Sequence, residues 1–170
     1  MVRALVAAGV LLAAGTGLMQ LVSGDFSAGG RLPRSLMATE CGGDNRSPEL
    51  SWSGAPRGTK SFALLMHDPD APIPGGFYHW VVYDLPAVTK QLPSGVRLSP
   101  TELGVTSAGK SAYYGPCPPP GPAHHYVVTV YALDLARVSG HPPLDGAALQ
   151  RAIGGHVLGR VALQGTASRP

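Results

Sequence analysis

Two carboxylates, two imidazoles and one phenol are the side chains of this sequence best suited to chemistry. Asp68 and Asp70 belong to the segment Asp-Pro-Asp-Ala-Pro, and His79 interrupts an apolar run. His124 and Tyr126 follow a proline-rich segment. Imidazole and phenol groups donate hydrogen bonds to an anion, whereas a carboxylate accepts from an amine or orients an imidazole. These residue types therefore predict a small anion-binding pocket, provided that the fold brings them together.

The strands expected around these residues indicate how they could meet. The apolar run over residues 60–67 predicts a strand, and alternation places Asp68 on the same face as the apolar residues before it. The run over residues 124–135 predicts the longest strand, in which His124 and Tyr126 share one face. His125 must then point to the other face, outside the predicted pocket.

Proline-rich loops lie beside both strands. Residues 68–72 contain two prolines, and residues 115–122 contain five. Because proline fixes one backbone dihedral angle, these loops are expected to be stiff and to hold the neighbouring side chains in place. The Ala71–Pro72 bond is a candidate for a cis peptide in a tight turn.

The rest of the chain also reads mainly as strands. Shorter strands are expected at residues 77–85 and 156–163, residues 47–52 are expected to enter another short strand, and a long irregular connection is expected over residues 87–109. One helix is expected from Asp145, as its N-cap, to Ile153, before a pair of glycines. The sequence therefore predicts a single, mainly β domain.

Composition excludes several classes of protein. The 170 residues include 23 Gly and 17 Pro, too many for a long helix or a coiled coil. Because 44% of the residues are hydrophobic and only 14% are charged, the chain is expected to fold rather than to be disordered. The net charge of +3 is dispersed, with no basic run, so no nucleic-acid partner is expected.

The segment Gly104–Ser111 matches the phosphate-binding P-loop pattern in full. That pattern binds phosphate only when a buried strand precedes it and a helix begins at its end. Here the preceding residues are polar, and Tyr-Tyr-Gly-Pro follows almost at once. Nucleotide binding is therefore rejected.

The N-terminal residues are typical of a secretory signal peptide. Arg3 precedes a long apolar stretch from Ala4 to Val22, and small residues follow it. Residues 1–24 are therefore predicted to be a signal peptide cleaved near Gly24–Asp25, which would place residues 25–170 outside the cytoplasm. The alternative is an uncleaved membrane anchor, since the apolar stretch is just long enough to span a bilayer.

The two cysteines, Cys41 and Cys117, are candidates for a disulfide. Export would place both in an oxidising compartment, where such pairs form. Two buried free thiols are the alternative. A metal site on these cysteines is not expected, because they are far apart and form no Cys-x-x-Cys motif.

Ordered motifs indicate a family. Asp68-Pro-Asp-Ala-Pro72 is followed by Gly76-Phe-Tyr-His-Trp-Val-Val-Tyr-Asp-Leu-Pro86, then by Tyr114-Gly-Pro-Cys-Pro-Pro-Pro120 and His124-His-Tyr126. Over about residues 26–166 the chain resembles the phosphatidylethanolamine-binding protein family, in its bacterial Raf-kinase-inhibitor-like branch. The resemblance implies a central antiparallel sheet, a smaller second sheet, one or two short peripheral helices and a small anion pocket.

The resemblance also implies roles for individual residues. Asp68, His79, His124 and Tyr126 correspond to the pocket lining, and Asp70 supports the Asp-Pro loop. The rim corresponds to Gly115, Pro118 and Pro119. The implied ligand is a phosphate- or carboxylate-bearing small molecule, such as phosphate or a phosphoethanolamine headgroup, with no cofactor and no enzymatic activity. Contact with a membrane would come only through lipid headgroups or the N-terminal segment.

Three functions remain open from the residues alone. In a binding protein, anion affinity should rise as pH falls through the range in which imidazole is protonated. A hydrolase would use Asp68 with His79 or His124 as a general base or as metal ligands. An inhibitor of a protease or a kinase would use the rigid proline-rich rim to contact its target.

Overall fold

The computed structural model describes residues 18–169, which form two antiparallel sheets. The strands, in chain order, are β1 (Gln20–Val22), β2 (Leu50–Ser53), β3 (Ser61–Asp68), β4 (Phe77–Pro86), β5 (Gln91–Leu92), β6 (His124–Leu133) and β7 (Val157–Ala167). One α-helix, α1 (Gly146–Ile153), and 3-10 turns at Arg34–Leu36, Thr39–Cys41 and Pro100–Glu102 complete the described secondary structure.

The larger sheet has the order β4-β3-β6-β7, and the smaller one has the order β1-β2-β5. β3 lies inside the larger sheet and is buried along almost its whole length, because both of its faces are covered. Phe62, Leu64 and Met66 pack into the core shared with the smaller sheet. Ala63 and Leu65 pack on the opposite face, against α1 and its surroundings. This double coverage explains why β3 reads as a continuous apolar run.

The expectation of a mainly β fold with two antiparallel sheets is confirmed. β3, β4, β6 and α1 lie within two residues of their predicted bounds, and β7 continues four residues beyond its predicted end. Asp145 is the N-cap of α1, where its Oδ1 accepts a hydrogen bond of 2.7 Å from the Ala148 backbone N–H. The apolar runs and the cap residue were therefore reliable signals.

The shortest elements escaped prediction. β1, β5 and the three 3-10 turns are only two or three residues long, too short to show a period in the sequence. β5 and the turn at Pro100–Glu102 lie within the connection that was expected to be irregular. In the P-loop-like segment, Thr106 and Lys110 form a closed turn, and no helix begins at Ser111. The segment therefore lacks the helix that the P-loop pattern requires.

The predicted signal peptide or anchor falls mostly on residues 1–17, which lie outside the described residues. Residues 18–24 are described, and they include β1, whose Leu21 is buried in the main core. Cleavage near Gly24–Asp25 would therefore remove a strand of the smaller sheet. Within residues 18–169, no helix is long and apolar enough to cross a membrane.

Candidate functional site

A bulge in β4 positions His79. Where β3 pairs with β4, Met66 faces Trp80 and His67 faces Tyr78, so His79 is the extra residue between two paired positions. A β-bulge changes the direction of the side chains near it and is common beside functional sites. The His79 side chain is consequently buried at one end of the sheet, although its strand neighbours form the core.

Asp68 and His124 form a buried pair at the same end of the sheet. Asp68 is the last residue of β3, and His124 is the first residue of the adjacent β6. His124 Nδ1 lies 2.8 Å from Asp68 Oδ2, and both side chains are almost fully buried. Asp68 Oδ1 also accepts a hydrogen bond from the Asp70 backbone N–H. The Asp68 carboxylate therefore orients the imidazole and holds the beginning of the next loop.

Asp70 and His125 form a second pair, but at the surface. Asp70 Oδ2 accepts hydrogen bonds from both the backbone N–H and the Nδ1 of His125, at 2.8 Å and 2.7 Å. The backbone hydrogen bond, followed by the one from the His125 side chain, lowers the pKa of Asp70. Two successive Asp–His pairs thus fasten the loop after β3 to the beginning of β6.

Tyr126 lies between these histidines with an unused hydroxyl group. The residue is fully buried, and its ring packs edge-on against His79 with 5.2 Å between ring centroids. Its hydroxyl makes no hydrogen bond of acceptable geometry with the described residues. Burial raises the pKa of Tyr126, and the Asp68 carboxylate raises it further, through its charge and through a contact with the hydroxyl that falls short of normal hydrogen-bond geometry, so the hydroxyl keeps its proton. A buried polar group without a partner is costly, which is the condition expected where a ligand supplies the missing partner.

These side chains line a cavity of about 340 Å³, which we call the histidine pocket. Its lining consists of Glu40, Asp68, Ala71, Pro72, Ile73, Phe77, His79, Tyr114, Cys117, Pro118, Pro119, His124 and Tyr126. The prolines and Ile73 form an apolar wall around the polar end. The cavity has the size of a small headgroup rather than of a whole lipid.

A disulfide closes one side of the pocket. Cys41 and Cys117 are bonded, which is the first of the two alternatives that the sequence leaves open, and no free cysteine occurs in the described chain. The bond joins the proline-rich rim to the turn Thr39–Cys41, which carries Glu40. The Tyr114 hydroxyl donates a hydrogen bond to Glu40 Oε1, and this contact lowers the pKa of Glu40. The pocket therefore holds a second carboxylate in addition to Asp68.

His79 is uncharged at neutral pH. Its Nδ1 lies 2.7 Å from the Tyr114 carbonyl oxygen, so this nitrogen carries the proton and donates. Burial lowers the pKa of His79 to about 4. In the neutral ring, Nε2 is then a hydrogen-bond acceptor. His79 cannot provide the pH-dependent positive charge expected from the sequence between about pH 5 and 8.

Most of the predicted site residues meet in the pocket. Asp68, His79, His124 and Tyr126 line it, together with Pro118 and Pro119, whereas His125 lies outside, as expected. Asp70 and Gly115 do not line it. Asp70 instead fastens the loop to β6, as its supporting role implied.

Gly115 has a packing role rather than a contact with the cavity. A Cβ atom at this position would lie 2.4 Å from both the Leu36 carbonyl oxygen and the Ala38 nitrogen. Only glycine allows this close approach of two backbone segments, and it fixes the rim against the residues before Glu40. The Ala71–Pro72 bond is not cis: among the described residues, the cis bond is Pro142–Pro143.

Glu40, Phe77, Ile73 and Tyr114 line the pocket without having been assigned to it from the sequence. Phe77 and Tyr114 stand close to the His79 ring, with centroid distances of 4.6 Å and 6.2 Å. Glu40 could have been found through the disulfide, because a bond between Cys41 and Cys117 places the preceding residue beside the rim. No group of three or more His, Cys, Asp or Glu side chains in residues 18–169 has the arrangement of a metal site.

Comparisons with known proteins give one consistent result. Residues 22–168 match the model of a family described as phosphatidylethanolamine-binding protein. Protein YbhB of Escherichia coli is 42% identical over 137 residues, which cover 76% of this chain and 87% of YbhB. A protein of Aquifex aeolicus is 41% identical and covers 78% of each chain.

Two solved structures share the fold. The crystal structure of E. coli YbcL, described as a new member of the mammalian PEBP family, has a TM-score of 0.84 at 32% identity. The match covers 91% of this chain and all of that one. The homologue CT736 from Chlamydia trachomatis has a TM-score of 0.80 at 35% identity, covering 90% of this chain and 99% of its own.

Proposed function

Because the chain belongs to the phosphatidylethanolamine-binding protein family, we propose that the histidine pocket binds a phosphate-bearing headgroup such as phosphoethanolamine, without chemical turnover. The observation that carries the proposal is the Tyr126 hydroxyl, which is buried at the pocket and forms no hydrogen bond of normal geometry with any described residue. A phosphate oxygen would accept the hydrogen bond that the protein does not use.

A second donor supports a phosphate at this position. When His124 donates from Nδ1 to Asp68, its Nε2 is the ring nitrogen left for a ligand. Protonation of that imidazole, with Asp68 as its partner, would make Nε2 a donor to the phosphate. Tyr126 and His124 lie two residues apart on one face of β6, so both can reach the same group.

The remaining polar groups favour a ligand that also carries an amine. Glu40 and Asp68 both line the pocket, and neutral His79 presents an acceptor rather than a positive charge. These groups would repel a simple anion but would accept hydrogen bonds from an ammonium group. A zwitterionic headgroup satisfies both sets of groups, and we therefore expect phosphoethanolamine to bind more tightly than inorganic phosphate.

Isothermal titration calorimetry with phosphoethanolamine and with inorganic phosphate tests the proposal. The Tyr126→Phe variant should bind phosphoethanolamine about tenfold more weakly, because one hydrogen bond to a charged group is lost. Tyr131→Phe is the matched control, since Tyr131 is also a buried tyrosine of β6 but packs on the opposite face. Equal affinity of Tyr126→Phe and wild type, or no binding by wild type, would overturn the assignment.

The absence of turnover is part of the proposal. Within the described residues, the pocket lining includes no serine or threonine, and its only cysteine is disulfide-bonded. No side-chain nucleophile of these types therefore stands beside the histidines. Phosphate release from phosphoethanolamine would be followed with the purified protein. Sustained release that His124→Ala abolishes would show that the protein is a hydrolase.

Export from the cytoplasm is the second part of the proposal. The Cys41–Cys117 disulfide supports it, because structural disulfides persist mainly in oxidising compartments. Cell fractionation and mass analysis of the mature N-terminus would test both export and the cleavage point. Cleavage near Gly24–Asp25 would yield a protein without β1, whereas earlier cleavage would retain it.

Inhibition of a protease or a kinase stays a prediction, as nothing in the rim favours a particular target.

A further inference from the structure

A second cavity, of about 520 Å³, reaches the other half of the disulfide. Cys117 lines the histidine pocket, whereas Cys41 lines this second cavity. Its rim carries Arg31, Arg34 and Arg169, and we call it the arginine groove. Leu32, Met37 and Ala167 contribute an apolar floor.

The backbone fixes the three arginines from different parts of the chain. Arg31 is bridged to Thr166 at the end of β7, and the Leu32 N–H donates to the Thr166 carbonyl at 2.8 Å. The Arg169 carbonyl accepts a hydrogen bond from Gly121 in the proline-rich rim. Arg34 begins a 3-10 turn. The groove is thus built on residues bridged to the end of β7, on a contact with the proline-rich rim and on a 3-10 turn rather than on a free loop.

Among residues 18–169, no acidic side chain neutralises the charges of the groove. Its lining contains no Asp or Glu, and none of its arginines forms a salt bridge with an acidic side chain among residues 18–169. Arg34 donates to the Gly42 carbonyl, and Arg169 approaches Cys41 Sγ at 3.4 Å. Neither contact supplies a counter-charge, and each guanidinium has several further N–H donors.

We propose that the arginine groove is a second binding site, specific for an organic phosphate with a small apolar body. Guanidinium groups bind phosphate oxygens through paired, charge-assisted hydrogen bonds, and the apolar floor would contact the carbon portion of the ligand. The phosphate belongs either to a free phosphate ester or to a glycerophospholipid headgroup, since both present the same group. The site is separate from the histidine pocket and does not depend on what that pocket binds.

Titration with glycerol phosphate, followed by NMR, tests the site. Amide shifts should appear at residues 31, 166 and 169 in wild type and in Tyr126→Phe. The double variant Arg31→Ala/Arg169→Ala should lose about tenfold or more in affinity at this site. Arg57→Ala/Arg97→Ala is the matched control, because it removes the same charge from exposed arginines outside the groove. Thermal unfolding of each variant checks that the fold is retained.

A vesicle arm separates the two sources of phosphate. Full-length protein is mixed with phosphatidylcholine vesicles, with and without phosphatidylglycerol, so that any contribution of the N-terminal residues is common to all variants. Binding of soluble glycerol phosphate that the groove variant loses identifies a free ester. Phosphatidylglycerol-dependent binding that only the groove variant loses, without soluble binding, identifies a lipid headgroup.

Three results would overturn the proposal. The first is no binding of either probe by wild type. The second is an equal loss of affinity in the groove variant and in the Arg57/Arg97 control, which would show that binding depends only on net charge. The third is glycerol phosphate binding confined to the histidine pocket and abolished by Tyr126→Phe. Failure of headgroup binding in the pocket, with groove binding intact, would leave this site standing and remove only the proposed function.

Discussion

The histidine pocket and the arginine groove share the Cys41–Cys117 disulfide, yet their charges are arranged in different ways. In the pocket, each carboxylate is engaged by a neighbouring donor: Asp68 by His124, and Glu40 by Tyr114. In the groove, three guanidinium groups surround an apolar floor without a described acidic partner. The pocket therefore contains a preorganised polar network in which the Tyr126 hydroxyl is available to a ligand. The groove instead carries an excess of positive charge.

This difference separates two kinds of recognition. A network whose groups are already paired selects a ligand by the positions of the ligand's hydrogen-bond donors and acceptors. Such a network tolerates little change in its own side chains. An array of unpaired cations selects by charge and weakens as salt screens it. The motifs that identify the family lie around the histidine pocket. Family membership therefore gives information about ligand binding in the pocket but none about the arginine groove.

Removal of the shared disulfide should have the largest effect. The bond closes a loop with a sequence separation of 76 residues, and its loss should lower the free energy of unfolding by about 4 kcal/mol. Urea unfolding of Cys41→Ser/Cys117→Ser measures this change. Because the disulfide borders both cavities, phosphoethanolamine and glycerol phosphate should both bind more weakly to the variant. Unchanged affinity for both would show that the disulfide shapes neither cavity.

The second prediction concerns His79 and belongs to the pocket alone. Burial lowers the pKa of His79 to about 4 in the folded protein, against about 6.5 for a histidine in water. Between about pH 4 and 6.5, His79 therefore binds a proton in the unfolded chain but not in the folded one. Stability should therefore be lost as pH falls from about 6.5 to 4, by about 3 kcal/mol in total.

Unfolding in urea at several pH values measures this effect. The slope of stability against pH over this window should flatten in His79→Gln and stay unchanged in His141→Gln, which replaces an exposed histidine. A parallel slope in His79→Gln and wild type would contradict the assignment, whatever the absolute stability of the variant.

The contrast between the two cavities also explains what the sequence could predict. Asp68, His124 and Tyr126 were found because they lie on long strands, where alternation decides which side chains share a face. The bulge that places His79 was not visible, although its apolar surroundings marked the strand. The pocket was thus predictable from local pattern together with ordered motifs.

The groove was not predictable by the same means. Arg31 and Arg169 belong to opposite ends of the chain and meet only because residues 30–32 pair with the end of β7. No periodicity links such positions, and a dispersed net charge conceals a local cluster. Glu40 was missed for a related reason, since its place depends on a disulfide rather than on its own neighbours.

The third prediction compares the two Asp–His pairs beside the pocket. Asp68 and His124 are 4% and 11% exposed, whereas Asp70 and His125 are 41% and 48% exposed. Asp68→Asn should lower the free energy of unfolding by about 2 kcal/mol, because a buried charge-assisted hydrogen bond is weakened. Asp70→Asn changes a pair that water already screens, so the decrease in the free energy of unfolding should be much smaller. Equal losses in urea unfolding would show that burial does not distinguish the pairs.

The smallest effect is expected from Glu40→Gln, and it tests the charge contrast itself. Glu40 lines the pocket but is exposed, so its charge is largely screened. Its removal should strengthen binding of inorganic phosphate to the pocket by about twofold to threefold and weaken binding of phosphoethanolamine by a similar factor. The Tyr114 hydroxyl can still donate to the Gln amide oxygen, so the rim should keep its shape. Asp44→Asn removes an exposed carboxylate outside the pocket lining and should change neither affinity. If Glu40→Gln shifts both ligands in the same direction, the pocket does not distinguish a zwitterion from an anion through this carboxylate.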